Sequence, residues 1–318
     1  MRRAWLVLTL ACAGCGRYAD FTLPRLAGGD PDLTFTFEQR AEPVLPRGEA
    51  RDVLKPSVVG GRDMFYSEFD GHTWRTAHAL SDGHEHWRKL GTVLSPDPRT
   101  WEGSYIAANG SAGRYANQVL YWYVAGPKER PSIGFARDWR KEARPVLEPG
   151  PYMSWDEMGV ADPNVIRIAP YFYLYYLGQD RAHRQRLGVA RSQDGIHFQK
   201  LRSNPILELG DAGAFDENGL GEPAVWIARD SYWMLYTGRD AAENRRLGLA
   251  RSGDGVHWRK LPAVFGGTAS WDSKVICDPA VYGGAVYFGG GDIARPDENL
   301  NGQIGAGILR PDNATLGK

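Results

Sequence analysis

Three nine-residue phrases in this chain end on a carboxylate followed by proline: WDEMGVADP (155–163), FDENGLGEP (215–223) and WDSKVICDP (271–279). The residues that face the chemical question are Asp162, Glu222 and Asp278. Like charges brought into one partly buried pocket push each other's pKa values apart, so one carboxyl stays protonated while another is ionised. That acid–base division is what cleavage of a glycosidic bond requires, with two carboxyl groups flanking the bond. A glutamate starts from a higher pKa than an aspartate and reaches further, which makes Glu222 the expected acid. No rival catalytic set is visible. There is no Gly-x-Ser-x-Gly elbow, no phosphate-cradling glycine loop and no histidine-rich metal spacing. Of the seven histidines, His86, His197 and His257 ride on regular turns, leaving only His72, His78, His84 and His183 free of them.

Residues so far apart meet only if the fold repeats. Laid in register, the phrases reveal two further copies, GEARDVLKP (48–56) and TWEGSYIAAN (100–109). The marked positions are then Lys55, Ala108, Asp162, Glu222 and Asp278, spaced 53, 54, 60 and 56 residues apart. Each copy continues with an apolar strand such as NVIRI, then an aromatic-rich strand (YFYLYYLG, YWMLYTG, QVLYWYVAG), then RLGVARS, RLGLARS or SIGFARD. A turn such as SQDGIHF leads to a fourth short strand ending near a Pro-Val-Leu or Pro-Ile-Leu phrase. Four antiparallel strands per ~55 residues, repeated radially, predict an all-β, five-bladed β-propeller. The fifth copy stops after its third strand, and residues 33–46 (LTFTFEQRAEPVLP) resemble only a last strand. The N-terminal segment is therefore expected to supply the missing strand and close the ring. The domain organisation read from this is a leader at 1–15, a linker at 16–32 and one propeller domain at 33–318.

Chain direction sorts the remaining polar residues. Asp194-Gly195 and Asp254-Gly255 fall on the bottom face as tight turns. The starts of the inner strands and the ends of the second strands fall on the top face. Asp70, Asp180, Asp240 and Asp292 recur at one offset there, as loop caps; Asp180, Asp240 and Asp292 are also expected to be substrate-binding groups, since the loops after them select the sugar. Glu49, Glu102, Asp156, Asp216 and Asp272 recur in all copies and are expected to tie neighbouring blades through backbone amides. Only the carboxylate-proline position varies, as Lys, Ala, Asp, Glu, Asp. Variation at positions facing one shared cavity indicates separate roles, with Lys55 counted among the expected substrate-binding groups.

Composition agrees with this reading and bounds the partners. Gly (39), Pro (20) and 26 Trp plus Tyr residues suit short strands and tight turns. The 38 basic and 38 acidic residues cancel, so no basic field points to nucleic acid. Arg2 and Arg3, an apolar run to Ala13 and the small-residue stretch ending at Cys15 read as an export signal. Ala13-Gly14-Cys15 resembles a bacterial lipobox, so Cys15 is the expected lipidation site of a monomeric cell-envelope lipoprotein, the alternative being a plain secreted protein. The membrane is then met only through the lipid. With Cys12 and Cys15 in the signal, Cys277 stands alone, and neither an internal disulfide nor a cysteine metal cluster is expected. No cofactor is required, and no ligand set for a central-channel ion can be named.

ADPNV (161–165), GEPAVW (221–226), RLGVARSQDGIHF (186–198) and RLGLARSGDGVHW (246–258) resemble the five-bladed propeller glycosidases, the group of arabinanases, xylosidases, invertases, levansucrases and mannoside phosphorylases. The resemblance covers about residues 50–310 and implies a glycoside hydrolase acting on an oligo- or polysaccharide. Carried over by motif, Glu222 resembles the acid and Asp162 the pKa modulator or transition-state stabiliser of arabinanase-like members. Those members take their base from the preceding blade, where Ala108 stands here, and Asp278 is the obvious replacement. The alternative is a sugar-binding propeller lipoprotein with a degenerate site.

Overall fold

The computed structural model describes residues 16–82 and 86–313. The leader with Cys15, His84 and the last five residues of the expected propeller domain lie outside the described residues. Two strands come first, β1 (Tyr18–Ala19) and β2 (Leu33–Gln39). A first group follows: β3 (Asp52–Val59), β4 (Asp63–Phe69), β5 (Trp74–Ser81) and β6 (Trp87–Leu94). The second is β7 (Ile106–Tyr115), β8 (Gln118–Ala125), β9 (Ser132–Arg137) and β10 (Arg140–Lys141). The third is β11 (Gly159–Ile168), β12 (Tyr171–Gln179), β13 (Gln185–Ser192) and β14 (Gln199–Leu201). The fourth is β15 (Gly219–Ala228), β16 (Ser231–Arg239), β17 (Arg245–Ser252) and β18 (Arg259–Phe265). After a single 3-10 turn at Ser270–Asp272 come β19 (Val275–Tyr282), β20 (Ala285–Gly291) and β21 (Gln303–Asn313).

Within each group consecutive strands pair antiparallel, and β2 pairs with β21, from Leu33 opposite Asn313 to Gln39 opposite Gly307. The N-terminal strand thus completes the last group, as the truncated fifth repeat predicts. Among the described residues the groups form three hydrogen-bonded sheets, two of them joined pairs of groups through short parallel contacts, β5 with β7 and β17 with β19. The first strands pack in cyclic order, β3 on β7, β7 on β11, β11 on β15, β15 on β19, and β19 on β3. Aromatic second strands fill the space between groups: in β12 and β16 seven and eight successive residues are buried on both faces.

The carboxylate-proline phrase makes a specific backbone feature. Every first strand carries a bulge where its ladder skips, between Leu54 and Ser57, Ala108 and Ser111, Ala161 and Asn164, Gly221 and Ala224, and Cys277 and Ala280. At the first skipped position φ is left-handed: Lys55 51°, Asn109 51°, Asp162 50°, Glu222 47° and Asp278 54°. Such a φ on a side-chain-bearing residue costs on the order of 1–3 kcal/mol, and four of the five precede proline, which disfavours it further. Proline fits the second skipped position because it has no N–H to lose from the ladder. At Gly110 a Cβ would run into the Tyr121 ring and the Trp122 carbonyl, so the second repeat takes glycine there. The bulge re-aims one side chain per group toward the common centre.

This register corrects one sequence assignment. The second repeat presents Asn109, not Ala108, at the varying position, because its loop is one residue longer: Glu102 to Asn109 spans seven positions where Asp156 to Asp162 spans six. The series around the centre is therefore Lys, Asn, Asp, Glu, Asp. Side chains beside the bulges staple neighbouring groups. Ser67 Oγ accepts from Asn109 N at 2.8 Å and Thr237 Oγ1 from Asp278 N at 3.2 Å. Ser57, Ser111 and Asn164 accept from Ala112, Val165 and Val225 of the next group.

The recurring acids also differ from expectation. Glu102, Asp156 and Asp216 bind within their own group, each to a second-strand tyrosine (Tyr123, Tyr176, Tyr236) and a fourth-strand lysine (Lys141, Lys200, Lys260). In the last group Phe288 replaces that tyrosine, and Asp272 Oδ2 is left without a partner. Glu49 is exposed. The tie across groups in the first repeat is made by Asp52 instead, which accepts from the backbone of Asn299, Leu300 and Gly302.

Residues 16–32, read as a linker, are laid against the domain. Tyr18 and Ala19 pair with Lys200 and Leu201 of β14. Leu23 is 1% exposed and its N–H donates to Asp254 O at 2.9 Å, while Leu26, Gly28 and the Tyr232 hydroxyl extend the contact. An apolar Leu-Pro-x-Leu stretch has surface to bury, and the groove over the fourth group accepts it. The bottom turns behave as expected. Asp194 and Asp254 accept two backbone amides each, and Gly195 and Gly255 adopt φ of 78° and 73°.

Candidate active site

The bulges of β7, β11, β15 and β19 open onto one cavity of about 820 Å3 on the side where the first strands begin. Asn109, Asp162, Glu222 and Asp278 line its floor, and its walls include Tyr105, Lys128, His183, Arg239 and Arg245. The three carboxylates predicted from the repeat therefore do converge. Asn109 Nδ2 donates to Asp162 Oδ1 at 3.3 Å, so the amide at the corrected position holds the neighbouring carboxyl. Cys277 Sγ lies 3.2 Å from Asp278 Oδ2 as its donor. Donor atoms of Glu222, Cys277 and Asp278 all lie within 4.8 Å of one another. Glu222 Oε2 is buried and has no hydrogen-bond partner, an arrangement that costs free energy unless something else offsets it.

Electrostatics separate these groups. Burial, the negative Glu222 and then Asp278 raise the Asp162 pKa to about 7, against the opposing pull of Lys55 and the Asn109 hydrogen bond. Burial first and Glu222 second raise Asp278 to about 6, opposed by Lys55, the Cys277 hydrogen bond and Arg245. Burial and the neighbouring Glu222 thus hold up both aspartate carboxyls. Glu222, Cys277 and Asp278 have the spacing of a metal site, but Lys55 and Arg245 already set two cations against Asp278.

Lys55 is 4% exposed and is not among the residues lining the cavity; its charge opposes the rise of Asp162 and Asp278. Asp180, Asp240 and Asp292 do not line this cavity, although Asp180 lines a smaller concavity beside it. Asp180 accepts from the backbone of Ala182 and Arg184 and pairs with Arg184 and Arg186. Asp240 accepts from Ala242 and Asn244, and Asp292 from Asn301 Nδ2. These aspartates cap the loops. Of the irregular histidines, His183 reaches the cavity wall, its Nδ1 2.8 Å from Gln179 Nε2, while His78 binds Asp63 at 2.8 Å elsewhere.

Several cavity residues escape sequence reasoning, Asn109 and Arg245 among them. Asn109 is hidden by the one-residue insertion. Arg245 is 8% exposed and donates to the carbonyls of Arg295 and Pro296. Its signal is present in RRLGLARS set against QRLGVARS: Arg245 stands where the third repeat has Gln185, another position at which the copies disagree.

Comparison with known proteins agrees with this architecture. A protein of Mycobacterium tuberculosis (strain CDC 1551 / Oshkosh), described as uncharacterised, is 28% identical over 219 residues, 61% of this chain and 71% of its own length. A 1,2-beta-oligomannan phosphorylase of Thermoanaerobacter sp. (strain X514) is 27% identical over 135 residues, 40% of this chain and 45% of that protein. A solved structure titled glycoside hydrolase superposes with a TM-score of 0.68 over 94% of this chain and 95% of its own, at 18% identity. A Bombyx mori GH32 beta-fructofuranosidase does so with a TM-score of 0.59 over 89% and 63%, at 15% identity. At these identities the structural likeness is one of fold, the all-β propeller type of these glycosidases. The model for the glycosyl hydrolases family 32 N-terminal domain matches residues 64–271, well over half of the sequence and spanning Asn109, Asp162 and Glu222, and the chain belongs to that family.

Proposed function

We propose that the protein is a glycosidase whose fold is a five-bladed propeller closed by β2, and whose active centre is the cavity over Asp162, Glu222 and Asp278. The observation that carries the reading is the convergence, from three separate repeats, of three carboxyls on one open cavity. An oxygen of Glu222 and one of Asp278 lie within 4.8 Å of each other, so the two carboxyls are immediate neighbours of like charge. These two therefore act as one negative unit, and Asp162 is its partner. Held protonated to about pH 7, Asp162 gives its proton to the leaving oxygen, while Glu222 faces the anomeric carbon. This reading places Asp162 in the acid role that the arabinanase resemblance gives to Glu222. Asn109 and Lys55 keep Asp162 from rising further.

The activities by which two similar proteins are named supply the first substrates to screen, β-1,2-linked oligomannosides and β-fructosides, each with and without inorganic phosphate. Asp162→Asn should lose ~10²–10⁴-fold on natural linkages and far less on aryl glycosides with good leaving groups. Glu222→Gln should lose turnover on both, with azide restoring part of it. The opposite pattern would return the acid role to Glu222. A wild type that binds glycans tightly and cleaves none would establish the alternative, a sugar-binding propeller. The proposed setting is the cell envelope with Cys15 lipidated, checked by mass spectrometry of the N-terminal peptide from membranes.

A further inference from the structure

Beside the cavity lies a second, smaller concavity of about 480 Å3, and the two share Ala182 and Arg184 as a common wall. Its outer lip is the loop before β11, where Tyr152 and Met153 are 71% and 80% exposed, the most exposed large apolar side chains among the described residues. Contiguous exposed apolar surface is the kind that marks ligand-binding grooves and interaction sites. Here it is held. Met153 takes a left-handed φ of 65°, pinned by its N–H donating to Glu157 Oε2 at 2.7 Å. Glu157 also accepts from Arg181 Nε at 2.9 Å, and the Arg181 guanidinium lies 4.4 Å from the Tyr152 ring centre. One face of Tyr152 is thus backed by a fixed cation and the other is open.

We infer that this ledge is an additional sugar-binding subsite, which takes the next units of the same uncharged glycan whose scissile bond lies over Asp162. The inference rests on the glycosidase reading. An aromatic ring with one free face offers a flat apolar surface to the C–H face of a pyranose or furanose ring, at little conformational cost. Continuity across Ala182 and Arg184 makes the occupant a chain that leaves the cavity. Charge favours a neutral sugar, since Arg181 is paired with Glu157, Arg184 with Asp180, and Arg186 with Asp180 and Glu208. The enzyme is accordingly built for chains longer than a disaccharide.

The test compares full-length wild type, Tyr152→Ala and Tyr152→Phe on a printed glycan array, then on a two-to-six-unit series of a selected glycan. Catalytic efficiency in wild type should climb with chain length. Tyr152→Ala should lose ~10-fold on long chains through KM, leave the disaccharide unchanged, and be rescued by Tyr152→Phe. Equal effects on short and long chains, or none on either, would overturn the subsite while leaving the glycosidase reading intact. Binding to no glycan at all would overturn both. Sedimentation showing a dimer that Tyr152→Ala dissociates would assign the ledge to a second copy of the chain instead.

Discussion

Replacing Asp162 with asparagine removes a carboxyl that the folded protein keeps neutral to about pH 7 and the unfolded chain ionises near 3.8. Over that window the native state holds a proton that the unfolded state has released, so this group's stability contribution is complete below 3.8 and disappears as pH climbs through about 7. At ~1.4 kcal/mol per pH unit, the loss amounts to about 4 kcal/mol, a sizeable part of the ~5–15 kcal/mol that holds a domain together. The cause is burial, reinforced by Glu222 and Asp278, so the loss belongs to the cluster and removing Asp162 relieves its neighbours as well. The Asp162→Asn side chain would keep the shape and an oxygen for the Asn109 amide, which lies 3.3 Å from the carboxyl in the wild type. Urea unfolding of both proteins at half-unit steps from pH 4 to 8.5 isolates the effect, provided the m-values match. The variant should gain on wild type by about 2–4 kcal/mol between pH 4 and pH 8. Two curves that run parallel in pH would mean that Asp162 is solvated and ordinary, and would remove it from the proposed proton transfer.

Further predictions concern the surrounding structure. Asn109→Asp would set a fourth carboxyl against Asp162 and delete its hydrogen-bond donor, so stability at pH 8 should fall by ~1–3 kcal/mol and the basic limb of the cleavage profile should move upward, checked by denaturation and pH–rate measurement. Lys200→Met strands the fully buried Asp156 without its cation and should cost ~3–5 kcal/mol in chemical denaturation. Tyr176→Phe in the same cluster should cost only ~1 kcal/mol, since the last repeat already carries Phe288 there. Leu23→Ala should cost ~2–4 kcal/mol and expose the 20–30 segment to limited proteolysis, because Leu23 packs in the core of the third and fourth groups.

The strands themselves are readable because each repeat writes the same aromatic and glycine pattern, and because a hydrophobic second strand buried on both faces has few other places to go. The pairing of β2 with the last group follows from a simple count of strands. Asn109 is not legible, for a reason internal to the backbone: which residue occupies a bulge depends on φ and on loop length, and a one-residue difference in TWEGSYIAANG leaves no mark in residue type. The loop-capping aspartates stand out as a regular set, but whether Asp180 faces sugar or its own turn depends on the amides of Ala182 and Arg184, which the turn brings to it. The 16–32 segment lacks strand periodicity, and only the groove beneath Asp254 explains why Leu23 is buried.

By itself the sequence determined the repeat, the β architecture and the convergence of Asp162, Glu222 and Asp278, since these follow from period and pattern carried along the chain. Tertiary structure decided what each group does. Lys55 became a buried counter-charge, Asn109 and Arg245 joined the site, and the aspartates became the elevated carboxyls. A side chain's burial and electric field come largely from neighbours in other repeats, and these are set only when the first strands pack around a common centre.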